Sequence, residues 1–242
     1  MMALEIPYIA AIVARLPDPV PNLAAFGVAT SLAWCIESPI MMLLSAATAL
    51  VRDRGSYLAL RRFALLLNAL VTAGMLTLAV PAVFRFVGEG LIDLPPGISS
   101  LAQRSTVILL AWPAAIGYRR FYQGILVSHH HTRKVAYGTI VRLGIMSLTA
   151  AGLAMISGLA GATIGAIALM AGVASEAIAS RIMARESVRS LRQSDDGRAA
   201  PSLWAIARFY YPLALTSMLS MALGPLVTFG LGRGRAPLAS LA

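Results

Sequence analysis

Five charged or amide side chains lie inside otherwise apolar stretches, and they are the residues best placed to do chemistry. They are Glu37, Arg120, Gln123, Arg142 and Glu176. A charge near the middle of a bilayer costs roughly 2.5–3.5 kcal/mol on insertion scales, so such groups usually face a cavity or a partner. These residue types therefore predict ion or solute binding together with an internal ion pair.

Glu37 lies near the middle of an apolar stretch that runs from Leu23 to Val51. With a rise of about 1.5 Å per residue, a helix over this stretch places the carboxyl group near the bilayer midplane. A carboxyl at that depth is a candidate proton carrier or ion ligand. Pro39 is expected to kink the helix just beyond it. The alternative is a neutral carboxyl that bonds to the backbone of a neighbouring helix.

Arg142 and Glu176 are best considered together. Arg142 follows the basic Lys134, and Glu176 precedes Arg181, so both lie one or two turns inside the same boundary of consecutive antiparallel helices. Either charge alone would be costly in the membrane, so the sequence predicts an intramembrane ion pair. A structural role is the favoured interpretation, and a gate or substrate contact is the alternative.

Arg119 and Arg120 are adjacent, so their side chains point about 100° apart on a helix. We expect Arg119 to reach lipid phosphate and Arg120 to point inward, since it shares a face with Gln123 and Gly124. An inward arginine suits an anionic substrate, whereas an uncompensated Glu37 suits a cation or a proton.

The aromatic residues around this pair and the histidines after it have simpler interpretations. Trp112, Tyr118 and Tyr122 are expected to form an aromatic belt at the membrane interface. Three consecutive histidines at 129–131 lack the cysteines and carboxylates of a zinc site, so a solvated loop without metal is expected.

Other motifs predict packing and no catalysis. Gly161 and Gly165 form a GxxxG pattern that allows helices to approach closely. The sequence contains no phosphate-binding loop, nucleophile elbow or HExxH motif, which argues against an enzyme and gives no reason to expect a cofactor.

Composition places the chain in a membrane. Of its 242 residues, 58% are hydrophobic and only 12% are charged, against about 25% charged in soluble domains. The net charge of +10 would suggest nucleic acid in a soluble protein. Here most arginines lie between apolar spans, so the bilayer, and no nucleic acid, is the expected partner. Cys35 is the single cysteine and cannot form an internal disulfide.

The elements that position these residues are predicted to be all helical. We expect an all-α membrane protein with about six transmembrane helices. The predicted spans are 23–51, 63–84, about 98–128, 135–156, 162–183 and about 203–231. The predicted divisions are a short apolar segment (1–18), a helix bundle (19–184), a charged linker (185–203) and a final helix (204–242). Prolines at 17, 19 and 21 are expected to stop the first segment, and 85–104 is expected to be a polar loop.

Basic residues orient the spans. Fifteen of the 20 lysines and arginines fall on one set of loops and span ends, and five fall on the other. Because basic loops remain in the cytoplasm, the 185–203 linker is predicted to be cytoplasmic in a multi-pass protein of the cell inner (plasma) membrane.

The two ends of the chain share a weak pattern. ARLPDPVPNLAAF near the start and GRGRAPLASLA at the end align so that Arg15 meets Arg233 and Pro19 meets Pro237. Internal repeats are common in transporters. The chain is therefore interpreted as one six-helix repeat with an incomplete first helix, followed by the first helix of a truncated second repeat.

Three stretches resemble a known family. LAAFGVATSLAWCIESPIMMLLSAATALVRDR, WPAAIGYRRFYQGILV and FYYPLALTSML are similar to the MATE-like branch of the MOP flippase superfamily, which includes multidrug and toxin extrusion and progressive ankylosis proteins. The resemblance implies two six-helix lobes around a cavity, alternating access, and export driven by an ion gradient. The chain departs from it by lacking a full first helix, where many MATE proteins carry a coupling carboxylate, and most of the second lobe.

Together these features predict an ion-coupled efflux antiporter of a small organic solute, or part of one. Glu37 would serve in coupling or binding, with Arg120 and Gln123 lining the cavity. A second lobe would come from another chain or from self-association. The alternative is a truncated membrane remnant that inserts without transporting.

Overall fold

The computed structural model describes residues 5–156, 158–194 and 199–232, with side chains described as far as residue 221. It is 87% helical, and the described residues contain no strand. The α-helices are α1 (Glu5–Val13), α2 (Pro19–Glu37), α3 (Leu43–Leu50), α4 (Arg54–Ala79), α5 (Pro81–Arg85), α6 (Pro96–Ile108), α7 (Trp112–Ser128), α8 (Thr132–Ile156), α9 (Gly161–Met183), α10 (Arg185–Gln193) and α11 (Leu203–Gly232).

Four segments among the described residues are long and apolar enough to cross a membrane. They are Pro19–Leu50, which joins α2 and α3, and the helices α4, α8 and α9. Large apolar side chains on α4 and α8 stay exposed, Leu70 and Leu148 among them. Exposed apolar surface on this scale suits lipid contact, so the chain is a helical membrane protein with four candidate spans.

The expected third span is divided. Its residues form α6 and α7, which are separated by a 3-10 turn at Leu109–Ala111. Pro113 follows this turn at the start of α7. In the first turn of a helix a backbone N–H has no partner within the helix, so proline, which lacks one, is tolerated there. Arg104, Arg119 and Arg120 lie in this stretch, and it is not among the four candidate spans.

The region expected to be a loop at 85–104 is largely helical, so that expectation is wrong. A π-helical segment covers Phe86–Leu91, and α6 starts at Pro96. The preceding helix α4 also ends five residues before the expected Phe84. Val80 is extended because Pro81 disfavours helical geometry in the residue before it.

The span that carries Glu37 is interrupted beside that residue. Helix α2 ends at Glu37, a 3-10 turn occupies Ser38–Ile40, and α3 starts at Leu43. Pro39 supplies no backbone N–H, which accounts for the interruption. A carboxyl group therefore lies at a helix break, where backbone carbonyls lose their usual partners.

Contacts at the two ends of the bundle show which loops lie together. At one end, which we call the linker end, the Arg54 amide donates to the Ser194 carbonyl at 3.2 Å. At the opposite end, the Ala162 amide donates to Asn22 Oδ1 at 2.9 Å. The start of α4 and the end of α10 therefore lie together at the linker end, as expected if successive spans cross the membrane in alternating directions.

Helix α1 packs one face, with Ile9 and Val13, against the bundle, while Tyr8 stays exposed. A Cβ on Gly165 would lie 3.1 Å from Ile9 and Phe26, and one on Gly161 would lie 3.1 Å from Val13. The GxxxG pair therefore lets α9 approach α1 and α2 closely, which is the packing role expected from sequence.

The helix α10 occupies the first part of the predicted charged linker. Residues 195–198 of the predicted linker lie outside the described part of the chain. The residues of the terminal repeat pattern from Arg233 to Ala242 also lie outside it.

Candidate functional site

Four helices bring five polar side chains together in the interior. Glu5 comes from α1, Arg119 and Gln123 from α7, Arg142 from α8 and Glu176 from α9. Each is at most 3% exposed. We call these five residues the charge cluster.

Glu176 is the acceptor at the centre of the cluster. Arg119 Nη1 lies 2.5 Å and Arg142 Nη1 lies 3.3 Å from Glu176 Oε2. Gln123 Nε2 donates to the other oxygen, Oε1, at 3.0 Å. The structure thus brings together Arg142 and Glu176, the two residues that the sequence paired, and adds a second arginine and an amide.

Arg142 also forms an ion pair with Glu5, through its Nη2. The cluster is therefore a chain of alternating charge: Arg119, Glu176, Arg142, Glu5. Two carboxylates and two guanidinium groups balance each other, as buried charges require. Glu5 Oε1 and Arg142 Nε have no hydrogen-bond partner among the described residues.

The expectation that Arg119 faces lipid is wrong. Arg119 is 2% exposed and bonds to Glu176, whereas Arg120 is half-buried. Arg120 Nη2 lies 3.8 Å from the sulfur of Met41 on the α2–α3 side of α7. The two arginines do diverge, as adjacent helical residues must, but it is Arg119 that faces α9 and its carboxylate.

Glu37 has its own contact, with Trp112. The indole Nε1 donates to Glu37 Oε2, and the two residues stand at the two helix breaks. The Arg142 guanidinium lies 6.0 Å from the centre of the same indole ring, which is within range of a cation–π contact. Trp112 therefore connects Glu37 to the charge cluster.

A cavity of about 190 Å³ separates Glu37 from the cluster. Its lining includes Glu5, Ile6, Trp34, Glu37, Met41, Trp112, Arg142 and Met221. Two carboxylates and one guanidinium thus share a space with aromatic and thioether side chains. Drug-sized ligands usually occupy roughly 300–1,000 Å³, so in this conformation the cavity fits an ion with water or a small solute.

Helix α11 supports the break beside Glu37. Tyr210 donates to the Pro39 carbonyl, and Ser217 Oγ donates to the Ser38 carbonyl at 2.8 Å. Both carbonyls belong to the 3-10 turn, where the helical hydrogen-bond pattern is interrupted. Two side chains of one helix therefore satisfy the backbone that the interruption exposes.

The expected aromatic belt is wrong for two of its three members. Trp112 and Tyr122 are at most 3% exposed inside the bundle, and only Tyr118 reaches the surface. The indole N–H of Trp112 finds its partner in Glu37, as buried tryptophans usually require. Trp and Tyr suit both a membrane interface and a buried site with a hydrogen-bond partner, so residue type alone did not distinguish the two positions.

Glu5 was also missed as a site residue. It lies in a segment too short to span a bilayer, so the sequence did not indicate how deep in the membrane this carboxylate lies. As an acidic residue within an apolar segment, it nevertheless carried the same signal as Glu37 and Glu176.

The described residues contain no group of three or more His, Cys, Asp or Glu side chains able to hold a metal ion. Comparison of the chain with protein-family models, curated proteins and solved structures finds no match.

Proposed function

We propose that this chain is an ion-coupled, alternating-access exporter of a small organic solute, or one lobe of such an exporter. The observation that carries the proposal is the meeting of two interrupted helices at a cavity lined by buried charges. Six spans, a MATE-like repeat and residence in the cell inner membrane are parts of the same proposal.

Interrupted helices support this proposal because transporters place their binding sites there. Discontinuous helices expose backbone groups and charged side chains near the bilayer midplane without exposing them to lipid. Here the breaks at Ser38–Ile40 and Leu109–Ala111 are joined by the hydrogen bond from Trp112 to Glu37.

The proposed roles differ between Glu37 and the charge cluster. Glu37 borders the cavity and accepts a hydrogen bond from a neutral donor, the Trp112 indole. Its carboxylate can therefore take a proton or a cation without breaking an ion pair. The four charged residues of the cluster tie four helices together, so we assign them to holding the bundle, with Arg142 also forming one wall of the cavity. Arg120 and Gln123 are proposed to contact the solute in a more open state.

Transport in everted vesicles from cells that express only this chain tests the proposal. We expect an imposed proton or sodium gradient to drive flux of a cationic dye or a small anion. Glu37→Gln removes the ionisable group while keeping its size, so coupled flux should fall at least tenfold with expression intact.

Glu186→Gln is the matched control. Its side chain is 84% exposed and pairs with Lys134 outside the cavity, so flux should stay within twofold of the wild type. If flux through the Glu37→Gln variant keeps its full pH dependence, Glu37 has no role in coupling. Absent flux from membrane-inserted protein would contradict independent transport. Recovery with a second lobe would then support the one-lobe form, and no recovery would favour a remnant.

We propose that the linker end is cytoplasmic, because most basic residues lie on loops and span ends assigned to that side. In a Cys35→Ser background, a cysteine replacing the exposed Ser190 on α10 should resist a membrane-impermeant thiol reagent in intact cells. It should react after the membrane is opened.

A cysteine replacing Leu159 reports on the opposite end. Leu159 is 46% exposed in the turn between α8 and α9, so it should react in intact cells. The reverse pattern at the two positions would overturn the orientation.

A further inference from the structure

An arginine-lined cavity lies where α9 meets α10. Its volume is about 340 Å³, and its described lining is Arg181, Arg185, Val188, Arg189, Arg192 and Gln193. No carboxylate is among the described residues that line it. Four guanidinium groups around one concavity repel each other unless an anion lies between them.

We propose that this arginine cavity binds the phosphate headgroup of an anionic membrane phospholipid. Guanidinium groups suit phosphate because their planar N–H groups form paired, charge-assisted hydrogen bonds. The proposal concerns a surface site and does not depend on transport.

Two of the arginines are already held in place by aromatic rings. The Arg181 guanidinium lies 5.1 Å from the Tyr122 ring centre, and that of Arg192 lies 5.9 Å from the Tyr57 ring centre. Such cation–π contacts restrict long side chains without neutralising their charge. A phosphate would therefore meet a partly ordered set of donors.

The acidic residue of α10 does not neutralise the cavity. Glu186 Oε2 pairs with Lys134 Nζ at 3.2 Å, and Glu186 is absent from the cavity lining. Val188 and Leu191 are buried and dock α10 against the bundle, while the arginines of α10 stay exposed.

The depth of the cavity favours a lipid over a soluble anion. Arg181 lies in the last turn of α9, and this candidate span ends at Met183. A site one turn from the end of a span lies at headgroup level, and basic pockets there bind anionic lipid headgroups.

Exposed apolar residues continue from the cavity toward the membrane interior. Ile178 is 61% exposed and Ile182 is 49% exposed, and their spacing places them on one face of α9. Arg185, which lines the cavity, follows Ile182 by three residues, across the turn at Ala184. Acyl chains can therefore lie along the isoleucines while the phosphate meets the arginines.

Native mass spectrometry of the purified full chain tests this site. We expect phosphatidylglycerol to bind at least tenfold more tightly than phosphatidylcholine with the same acyl chains. Replacing exposed Arg185 and Arg189 with glutamine should weaken phosphatidylglycerol binding about 25-fold, since each basic residue near an anionic lipid contributes about fivefold. R185K/R189K should retain most of the affinity.

Arg52→Gln with Arg62→Gln is the matched control, because it removes two exposed arginines outside the cavity. Its phosphatidylglycerol affinity should stay within twofold of the wild type. Equal binding of the two lipids by the wild type would overturn the proposal, whether or not the variants fold. Unchanged binding in R185Q/R189Q, an equal loss in the control, or equally tight binding of soluble glycerol phosphate would also overturn it.

Discussion

Arg142→Gln is expected to destabilise the folded bundle by about 3–5 kcal/mol, the usual cost of removing one partner from a buried ion pair. The arginine holds Glu5 on α1 and Glu176 on α9 at once. Without it, Glu176 keeps Arg119 and Gln123, whereas Glu5 loses the guanidinium that balances it. The free energy of unfolding, measured by titrating sodium dodecyl sulfate into detergent micelles, reports the loss.

The second substitution that rescues Arg142→Gln distinguishes a chain of charges from a simple pair. Adding Glu5→Gln removes the uncompensated carboxylate and leaves Arg119–Glu176 intact, so much of the lost stability should return. Adding Glu176→Gln instead deprives Arg119 of its acceptor and should rescue less. If Arg142 and Glu176 formed a simple pair, Glu176→Gln would rescue more stability than Glu5→Gln. Lys134→Gln, which breaks an exposed ion pair, should cost no more than about 1 kcal/mol.

The local part of this site was predictable from sequence. Arg142 and Glu176 lie on consecutive antiparallel helices at similar depths, so their proximity follows from counting turns. The break beside Glu37 likewise follows from Pro39, whose effect on the backbone is local.

The remaining contacts depend on long-range packing. Which of Arg119 and Arg120 faces α9 is decided by how α7 rotates against its neighbours, and helical geometry fixes only the angle between them. Trp112 meets Glu37 because two interrupted helices cross there, and no spacing in either helix encodes that crossing. The contact of Glu5 with Arg142 depends on where α1 packs, and the short apolar segment that forms α1 does not reveal this position.

The two interrupted helices also constrain how the site can move. Glu37 is held by Trp112 on one side, while α11 holds the turn that follows Glu37 through Tyr210 and Ser217. Separating α11 from the Ser38–Ile40 turn would therefore release carbonyl oxygens beside the proposed ion site. On the alternating-access proposal, this links a helix movement to the chemistry of Glu37.

Gly124→Ala is expected to separate α3 from α7 and destabilise the fold by about 2–3 kcal/mol, or prevent folding altogether. A Cβ on Gly124 would lie 2.5 Å from Ala47 Cβ and 2.6 Å from the Leu44 carbonyl oxygen. Backbone and a short side chain cannot rotate away, so the helices themselves must move. Unfolding in detergent measures the loss.

The same substitution at two other helical glycines separates crowding from helix propensity. A Cβ on exposed Gly144 would meet no atom of the described residues within 4 Å, so Gly144→Ala should stabilise the helix by up to about 1 kcal/mol. At Gly117 the Cβ would meet the Asn68 side chain at 1.8 Å, so Asn68→Ala should recover part of the loss in Gly117→Ala. Asn68→Ala should recover nothing in Gly124→Ala, because the obstruction there is the α3 backbone. Equal stabilities of the Gly124 and Gly144 variants would contradict the close approach of α3 and α7.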